Sequence, residues 1–427
     1  MKIKMNYIEV KNKCILQGKV NTPSSKSIGH RALICAALAD GNSIIKNINL
    51  SKDIKATAGV LESLGATINI GEKEINVKGT HKVKRLGTEL FCNESGSTLR
   101  FLIPVAMLQE EAVTFTGRGK LVERPLTPFY NIMDEQGIYY KNNNGMLPLE
   151  VKGLLKPGNF YIQGNVSSQF ISGLMFALPL LNGDSNIIVK GKLESRPYVD
   201  LTIDVLKEFG VNIDNYNYEK FSIKGGQKYI PKEYTVEGDY SQAAFFLAAG
   251  LLRGEVQCAN LNKNSLQGDK EFINIVKAMG GNITEDGNGV KAVKSQLTAT
   301  KIDASQVPDL VPILSVLASV SQGQTIIYNA SRLRIKECDR LHAVTTELNA
   351  LGANIIEQED SLIINGVKAL KGGKVKSWND HRIAMSMTIA SLVCENPVII
   401  EDYKAIEKSY PHFYEDFICL GGKISFN

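Results

Sequence analysis

One order of elements recurs along the whole chain: a strongly apolar helix, a short turn, a β-branched strand, an amphipathic helix, and then further strands. Six segments are apolar at nearly every position, which predicts helices that are buried on all sides. We call them the A helices, and they are predicted at residues 27–39, 97–108, 167–181, 240–252, 307–320 and 380–394. Strand patterns such as 43–45 and 324–327 follow them.

The amphipathic helices, here called the B helices, end at regularly spaced glycines. The six glycines are Gly65, Gly137, Gly210, Gly280, Gly352 and Gly421. Successive members lie 69 to 73 residues apart, and each stands where a left-handed residue ends a helix before a strand begins. This period indicates six copies of a β-α-β-α-β-β unit. We therefore predict an α/β (α+β) fold.

The length of the chain bears on the number of domains. With 427 residues, the chain exceeds the length at which a single hydrophobic core keeps growing, so six units imply two domains of three units each. A segment rich in Gly, Lys and Tyr near 225–234 marks the crossing between the halves. A strand predicted at about 7–20 can pair with the first unit or with the last. The second pairing would make one domain discontinuous, and the period alone leaves both open.

Composition excludes several classes of protein. The first residues, 1–13, mix charged with apolar side chains, and no window approaches the roughly 18 apolar residues of a membrane span. We therefore expect a cytoplasmic protein with no membrane partner. The net charge of +5 is too weak over this length to indicate nucleic-acid binding, and small anionic substrates explain it equally well. The seven cysteines are odd in number and scattered, so we interpret them as packing residues.

Polar residues concentrate at the predicted helix openings. The cations there are Lys26, Arg31, Arg100, Arg124, Lys336, Arg340, Arg382 and Lys408. Helix N-termini expose unpaired backbone N–H groups and partial positive charge, so converging openings form an anion site. We interpret Asp239, Ser241 and Pro125 as caps. Capping does not explain the cations, because a cation in a first turn opposes the helix dipole, and Arg matches carboxylate and phosphate oxygens.

The second half of the chain adds acids to its cations. These are Asp309, Glu337, Asp339 and Asp380. On a predicted helix, Lys336 and Arg340 share one face, and Glu337 stands three residues before Arg340, so a carboxyl group lies inside a cationic cluster. One half then binds anions and the other adds proton transfer. The alternative is that Glu337 is only an ion-pair partner within a helix.

Histidines are few. His381 lies between Asp380 and Arg382 in a turn that is predicted to face the site. The other four, His30, His81, His342 and His412, are interpreted as structural or surface residues. Among motifs of other enzyme classes, the chain has no phosphate-binding P-loop, Rossmann fingerprint, His-Glu-x-x-His or Gly-x-Ser-x-Gly.

Eight ordered motifs, spread over essentially the full chain, resemble those of the 3-phosphoshikimate 1-carboxyvinyltransferase (5-enolpyruvylshikimate-3-phosphate synthase) family. They are Ser25-Lys26-Ser27 with Arg31, Ser95-Gly96-Ser97-Thr98-Leu99-Arg100, Glu123-Arg124-Pro125, Ser167-Ser168-Gln169, Ser195-Arg196-Pro197-Tyr198, Pro308-Asp309, Arg334-Ile335-Lys336-Glu337 with Asp339-Arg340, and Asp380-His381-Arg382 followed by Lys408. The resemblance implies an inside-out α/β barrel with two pseudo-threefold domains. We expect residues 21–238 in one domain and residues 1–20 with 239–427 in the other, with the active site in the cleft between them.

The resemblance also implies an activity. The enolpyruvyl group of phosphoenolpyruvate would pass to the 5-hydroxyl of shikimate 3-phosphate by addition and elimination, with release of phosphate, in aromatic amino-acid biosynthesis. We assign Asp309 as the base for the hydroxyl proton and Glu337 as the acid for C3. Lys26 and Lys408 would neutralise charge, and His381 joins the catalytic set. We expect a monomer that uses no metal and no cofactor.

Substrate contacts are carried over from the family motif by motif. Shikimate 3-phosphate is expected to contact Lys26, Ser27, Arg31, Ser167, Ser168, Gln169, Ser195, Tyr198, Asp309 and Lys336. Phosphoenolpyruvate is expected to contact Lys26, Gly96, Arg124, Gln169, Arg340, Arg382 and Lys408. Two positions depart from the commonest pattern, because Glu94 and Arg332 stand where many or some members have Asn. Both are left outside the expected site.

Two other functions remain as alternatives. The related UDP-N-acetylglucosamine enolpyruvyl transferases share the fold and the donor, but Lys26-Ser27 replaces their Lys-Asn pair and the loop 111–124 contains no Cys. A ring-shaped nucleic-acid clamp could also arise from sixfold repetition. A clamp would spread its basic residues evenly, contrary to the asymmetry between the halves, and its binding would fall steeply with salt.

Overall fold

A computed structural model describes residues 7–80, 82–287 and 289–427. The chain divides into two compact units: a continuous unit, Ser24–Glu237, and a discontinuous unit, Met1–Pro23 with Gly238–Asn427. Each unit has its own hydrophobic core. The α-helices of the described residues are α1 (Lys26–Leu38), α2 (Lys52–Ser63), α3 (Gly96–Ala106), α4 (Thr127–Gln136), α5 (Ser168–Ala177), α6 (Arg196–Glu208), α7 (Tyr240–Arg253), α8 (Phe272–Ala278), α9 (Val311–Ser319), α10 (Arg340–Ala350), α11 (His381–Ala390) and α12 (Phe413–Cys419).

The strands alternate with these helices. Over the same described ranges they are β1 (Tyr7–Val10), β2 (Leu16–Asn21), β3 (Asn42–Lys46), β4 (Thr67–Ile70), β5 (Glu74–Lys78), β6 (Glu89–Phe91), β7 (Val113–Thr116), β8 (Tyr139–Asn143), β9 (Met146–Lys152), β10 (Asn159–Gln163), β11 (Ser185–Lys190), β12 (Ile213–Tyr216), β13 (Lys220–Ile223), β14 (Glu233–Thr235), β15 (Gly254–Ala259), β16 (Asn282–Asp286), β17 (Gly289–Val293), β18 (Lys301–Asp303), β19 (Gln324–Tyr328), β20 (Asn354–Glu357), β21 (Leu362–Asn365), β22 (Gly373–Lys376), β23 (Val398–Glu401) and β24 (Ile424–Phe426).

The strands form four-stranded sheets, one for each repeat, and the described residues contain three such sheets in each unit. In the sheet β10-β11-β13-β12, β10 and β11 are parallel and flank α5, while β13 runs antiparallel to both β11 and β12. The predicted β-α-β-α-β-β unit is confirmed by this topology. The six glycines that end the B helices all have φ between 66° and 109°, in the left-handed region that glycine adopts most easily.

The N-terminal strand predicted at about 7–20 is wrong as a single element. β1 pairs antiparallel with β23 and β24 in the last sheet, whereas β2 pairs parallel with β15 in the fourth. Lys13, with φ of 55°, lies between them and breaks the extended chain. The first sheet obtains its parallel strand from β14, far along the chain, which pairs with β3.

The A helices are buried almost throughout, as their apolar composition predicts. Strand residues alternate between buried and exposed, as in β10, so the helices form the inside of each unit and one face of each sheet faces solvent. Three A helices are shorter than predicted. A 3-10 turn, Leu178–Leu180, follows α5, another, Pro308–Leu310, precedes α9, and a third, Ser391–Val393, follows α11. No helix among the described residues is long and apolar enough to cross a membrane.

Candidate active site

The A helices of the continuous unit open on serine caps. Ser25, Ser95 and Ser167 each accept a hydrogen bond from a backbone N–H of the first turn of α1, α3 or α5, at 3.4, 3.1 and 3.3 Å. The cap therefore satisfies one of the backbone donors that a helix start leaves unpaired. The predicted contact residues Ser27 and Ser168 lie in the first turns behind these caps.

Gln169 connects the openings of α3 and α5. Its Oε1 accepts a hydrogen bond from Nη1 of Arg100 at 2.9 Å, and its Nε2 donates to Oγ of Ser97 at 3.0 Å. Nη2 of Arg100 donates to the carbonyl oxygen of Pro125 at 3.2 Å. Pro125, predicted to be a cap, precedes α4 and serves instead as an acceptor for this arginine. These bonds fix the amide of Gln169 in one orientation.

Arg124 lies against Gly96. A Cβ atom at residue 96 would stand only 2.6 Å from Nη1 of Arg124 and 3.6 Å from Oε1 of Gln169. The side chain of Arg124 is buried, and the residue follows a 3-10 helix, Gly119–Glu123. Because glycine leaves this space empty, the guanidinium group reaches the start of α3. Three residues expected to contact phosphoenolpyruvate are therefore adjacent.

Lys26 has an acidic partner that sequence reasoning missed. Its Nζ lies 2.7 Å from Oδ2 of Asp53, and the two side chains are only 18% and 11% exposed. Asp53 stands in the first turn of α2, where an acid is an ordinary complement to the helix dipole. Nothing in the local pattern distinguished it from a surface residue.

Arg31 and Ser195 are placed by the packing of α1 against α6. Nη1 of Arg31 donates to the carbonyl oxygen of Ser27 at 2.7 Å, and Nη2 donates to that of Tyr198 at 2.8 Å. Nε donates to Oγ1 of Thr202 at 2.8 Å, and burial lowers the pKa of Arg31 to about 10. Ser195, before α6, has φ of 54°, which is rare for a residue with a side chain. Arg31 thus ties two helices together, and its expected substrate contact stays a prediction.

A second cluster lies in the discontinuous unit, centred on Arg340. Its Nε lies 2.8 Å from Oδ2 of Asp380, Nη1 lies 2.8 Å from Oδ1 of Asp309, and Nη2 lies 2.6 Å from Oε2 of Glu337. The side chain of Arg340 is 1% exposed. Burial by itself lowers the pKa of Arg340, but the three carboxylates outweigh it and hold the pKa well above its usual range. The guanidinium group therefore stays charged.

Asp309 is surrounded by cations. Besides Arg340, Oδ1 lies 3.5 Å from Nζ of Lys336, and Oδ2 lies 3.0 Å from Nη2 of Arg382. Burial by itself raises the pKa of Asp309, but Arg382, Lys336 and Arg340 together hold it well below its usual range. Burial lowers the pKa of Lys336, an effect that Asp309 opposes. Asp309 stands on the 3-10 turn before α9, and it is ionised at neutral pH.

The helical arrangement predicted for Lys336, Glu337 and Arg340 is wrong. α10 begins at Arg340, because Asp339 caps it by accepting a hydrogen bond from the backbone N–H of His342 at 3.1 Å. Lys336 is extended and Glu337 lies in the loop before the helix. The ion pair between Glu337 and Arg340 forms nevertheless, so the carboxyl group does lie in the predicted cationic cluster.

Arg382 joins this cluster to the start of α7. Its Nη2 donates to Oγ of Ser241 at 2.7 Å, and its Nη1 donates to the carbonyl oxygen of Asp309 at 3.0 Å. Asp239 caps α7, as predicted, by accepting from the backbone N–H groups of Ser241 and Gln242. Ser241 was interpreted only as a cap, yet its hydroxyl group holds the guanidinium of Arg382.

Lys408 and His381 complete the charged set. Nζ of Lys408 donates to the carbonyl oxygen of Asn379 at 2.5 Å, and the lysine is buried. It ends a 3-10 helix, Tyr403–Lys408, whereas a B-helix opening was predicted there. His381 is the first residue of α11, and its Nδ1 lies 3.8 Å from Oδ1 of Asp380.

Five of the eight cations do not lie in first helical turns, where all eight were predicted. Only Lys26, Arg340 and Arg382 do so. Arg31 and Arg100 lie further along α1 and α3, and the rest lie outside α-helices: Arg124, Lys336 and Lys408. Loops and 3-10 turns have no simple period, so only the tertiary structure shows how these side chains group.

The two departures from the family pattern lie beside the expected site. Glu94 precedes the cap of α3, and its carboxylate lies 3.8 Å from Nε of Arg118. Arg332 donates to the carbonyl oxygen of Ser305 at 3.2 Å. Both side chains therefore have protein partners of their own.

His30 is structural, as predicted, and it holds two helix openings. Its Nδ1 lies 2.7 Å from Oγ1 of Thr57, which lies 2.7 Å from Oγ1 of Thr98, which donates to Oγ of Ser95 at 2.7 Å. His342 and His412 are exposed and lie beside glutamates. His81 lies outside the described residues. The chain from His30 connects α1 and α2 to the cap of α3.

His30 predicts a pH dependence of stability. Burial, followed by the charges of Lys26 and Arg31, lowers the pKa of His30 well below its usual value near 6.5. The unfolded chain therefore takes up a proton first as the pH falls below about 6.5, and stability present above that pH is lost, at up to about 1.4 kcal/mol per pH unit. His30→Asn should remove the contribution of His30 to the pH dependence of the unfolding free energy, measured by urea unfolding between pH 7 and 5. His342→Asn, at an exposed site, should keep it, and an unchanged slope in His30→Asn would contradict the prediction.

Comparison with known proteins assigns the chain to a family. The family model described as EPSP synthase (3-phosphoshikimate 1-carboxyvinyltransferase) matches residues 10–417. A 3-phosphoshikimate 1-carboxyvinyltransferase of Clostridium novyi is 54% identical over 418 residues, 96% of each chain. Another, of Clostridium kluyveri, is 51% identical over 420 residues, 98% of each chain.

Solved structures agree in fold. The chain is similar to EPSP synthase from Acinetobacter baumannii, with a TM-score of 0.83 and 24% identity over 99% of this chain and 100% of the other. It is also similar to the enolpyruvyl transferase NikO from Streptomyces tendae, with a TM-score of 0.80 and 16% identity over 99% of each chain. The predicted α/β enolpyruvyl transferase fold is confirmed by these likenesses. From the family match and the relatives above half identity, we conclude that the chain belongs to the EPSP synthase (3-phosphoshikimate 1-carboxyvinyltransferase) family.

Proposed function

We propose that the charged sets of both units act on one pair of substrates, phosphoenolpyruvate and shikimate 3-phosphate, in the carboxyvinyl transfer that family membership assigns to this chain. The observation that carries the proposal is the cluster around Arg340, where buried arginines are held beside two carboxylates able to move protons. Arginine binds two oxygens of a carboxylate or a phosphate group at once, and phosphoenolpyruvate has both groups.

The reaction runs by addition and elimination. The 5-hydroxyl of shikimate 3-phosphate attacks C2 of phosphoenolpyruvate, Asp309 takes the hydroxyl proton, and Glu337 in its protonated form gives a proton to C3. Phosphate then leaves from C2 and takes up the proton that Asp309 holds, while C3 returns its proton to Glu337. Arg340, Arg382 and Lys408 bind phosphoenolpyruvate from the discontinuous unit, while Lys26, Gly96, Arg124 and Gln169 contribute from the continuous unit. His381, beside Asp380, supports the cluster.

Shikimate 3-phosphate is assigned a separate set of contacts. In the continuous unit these are Lys26, Ser27, Arg31, Ser167, Ser168, Gln169, Ser195 and Tyr198, joined by Asp309 and Lys336 from the other unit. The serine hydroxyls lie at the openings of α1 and α5, where backbone N–H groups and the helix dipole also favour an anion. This arrangement supports the placement of the phosphate group there.

The ionisation of Asp309 supports its assignment as a base that the substrates activate. Without ligands, the cations hold the pKa of Asp309 well below its usual range, so the carboxylate is a weak base. Substrate oxygens compete for Arg382, Lys336 and Arg340, and each cation that turns to a substrate anion leaves Asp309 less compensated. Its pKa then rises toward the range in which a general base is effective.

The test is phosphate release from phosphoenolpyruvate, measured with shikimate 3-phosphate or with UDP-N-acetylglucosamine in otherwise identical assays. Release is expected only with shikimate 3-phosphate, and phosphoenolpyruvate alone should release none. Because both charged sets lie on one chain, we propose that a monomer suffices, so specific activity should not change with enzyme concentration. Release only with the nucleotide sugar would keep the fold and overturn the acceptor, and release with neither would overturn the proposed reaction.

A further inference from the structure

Two consecutive residues with side chains have left-handed backbones immediately before α11. Trp378 has φ of 55° and Asn379 has φ of 52°. A residue with a side chain in this region has a strained backbone, and this conformation persists only where its surroundings enforce it. Such strain clusters at functional sites. We call residues 377–380 the 377–380 turn, and it ends at Asp380, the cap of α11.

The indole ring of Trp378 anchors one side of this turn to α10. Its Nε1 donates to Oε1 of Glu347 at 2.6 Å, and Oε2 of Glu347 accepts from the backbone N–H of Lys376 at 2.9 Å. Glu347 is 6% exposed, so its carboxylate depends on these two donors for the hydrogen bonds that water would otherwise supply. The ring of His342 packs edge-on against the indole, with centroids 5.6 Å apart.

Ser377 anchors the other side. Its Oγ donates to the carbonyl oxygen of Asp402 at 2.9 Å and accepts from the backbone N–H of Asn379 at 3.2 Å. Its own carbonyl oxygen accepts from the backbone N–H of Asp380 at 2.9 Å. Asp402 immediately precedes the 3-10 helix that ends at Lys408. The turn is therefore tied to α10, to α11 and to the segment that carries Lys408.

Those three segments carry the cations assigned to phosphoenolpyruvate. The turn presents the carbonyl oxygen of Asn379 to Lys408 and the carboxylate of Asp380 to Arg340, and Asp380 also accepts from the backbone N–H of Arg382 at 2.8 Å. A change in the backbone at residues 378 and 379 would move the partners of all three cations at once.

We propose that Trp378 and Glu347 are positioning residues for phosphoenolpyruvate. Their hydrogen bond holds the 377–380 turn in its left-handed conformation and so sets where Arg340, Arg382 and Lys408 lie. This inference rests on the proposed function, because it takes those three cations to be the phosphoenolpyruvate contacts. Within the part of the chain that the structure describes, the hydrogen bonds of these two side chains do not reach the cluster around Arg340.

The test compares Trp378→Phe, Glu347→Ala and the double variant. Phenylalanine keeps an aromatic ring but removes the donor of the hydrogen bond, and Glu347→Ala removes its acceptor. We therefore expect KM for phosphoenolpyruvate to rise about tenfold in each single variant. KM for shikimate 3-phosphate should change less than threefold. In the double variant, KM for phosphoenolpyruvate should be at most about twofold above that of the single variant with the higher KM. Both substitutions remove the same hydrogen bond, and the effects of residues that share an interaction do not add.

A matched control removes a similar bond elsewhere. Tyr218→Phe, in the continuous unit, deletes the hydroxyl that donates to Oδ2 of Asp200 at 3.0 Å and leaves the ring, and it should change neither KM. A lower unfolding midpoint in Trp378→Phe with unchanged KM for phosphoenolpyruvate would overturn the proposal. Arg382→Lys distinguishes failure of the positioning role from failure of the assigned phosphoenolpyruvate contacts. If Arg382→Lys raises this KM and Trp378→Phe does not, only the positioning role fails. If neither variant raises it, the assigned phosphoenolpyruvate contacts fail as well.

Discussion

Asp309→Asn is expected to lower kcat by about 10²- to 10⁴-fold, the usual contribution of a positioned general base. Asparagine keeps the shape of the side chain and one oxygen acceptor, but it has no basic oxygen for the hydroxyl proton. It also removes the negative charge between Arg340 and Arg382, so anionic substrates should bind at least as tightly. We therefore expect the loss in kcat and little or no rise in either KM.

Asp339→Asn is the matched control for this substitution. Asp339 is a carboxylate two residues from Glu337, but it caps α10 and pairs with Arg334, and asparagine caps helices about as well. The kcat of the Asp339→Asn variant should stay within about threefold of that of the original enzyme. Steady-state phosphate release over a range of both substrates gives kcat and KM separately. An Asp309→Asn variant that retains kcat within a factor of ten would rule out Asp309 as the base.

Arg340→Met should reduce both stability and turnover severely. The arginine is buried and donates to three carboxylates at once, so its removal leaves Asp309, Glu337 and Asp380 close together without their shared cation. Breaking a buried charge pair in this way costs about 3–5 kcal/mol in the free energy of unfolding. Methionine also removes the donor assigned to phosphoenolpyruvate, so kcat/KM for that substrate should fall at least 10²-fold.

The loss of stability should depend on pH in a defined direction. Arg340 is one of the cations that lower the pKa of Asp309, so without it this pKa rises toward its usual range, and protonation relieves the repulsion between Asp309 and Glu337. The folded variant then takes up protons more readily than the folded original chain, so the deficit in unfolding free energy should shrink as the pH falls from 7 toward 5. Urea unfolding at both pH values measures this.

Arg334→Met provides the control, since Arg334 also contacts two carboxylates, of Asp339 and Glu357, but is 27% exposed. Partly exposed ion pairs contribute about 0–1 kcal/mol. Arg340→Lys covers the case in which the methionine variant does not fold: it keeps a charge but donates to fewer carboxylates, so kcat/KM should still fall about tenfold or more. Equal effects of the Arg334 and Arg340 substitutions would contradict the central place of Arg340.

Features with local causes could be predicted from the sequence. The A helices follow from unbroken apolar composition, and the six glycines that end B helices follow from their steric freedom at positive φ. Both are repeated six times, so their period also indicated the number of units. The resemblance then supplied the family, because its motifs retain their order along the chain.

Predictions failed where the outcome depended on distant partners. β1 and β2 form one run in sequence but join different sheets, because β23 and β15 offer them separate edges. Lys336 and Glu337 were placed on a helix, whereas Asp339 caps that helix after them. A short stretch of helical pattern does not specify its first residue when several polar residues can cap it.

The sequence by itself determined the repeat, the buried helices and the fold class, since each follows from local pattern and steric preference. Only the tertiary structure decided which charges are partners. Asp53 lies 27 positions from Lys26 and Glu347 lies 31 positions from Trp378, and neither separation matches a helical or strand period. A buried charge must be matched by whichever donor or acceptor the packing brings to it, and that match is made in three dimensions.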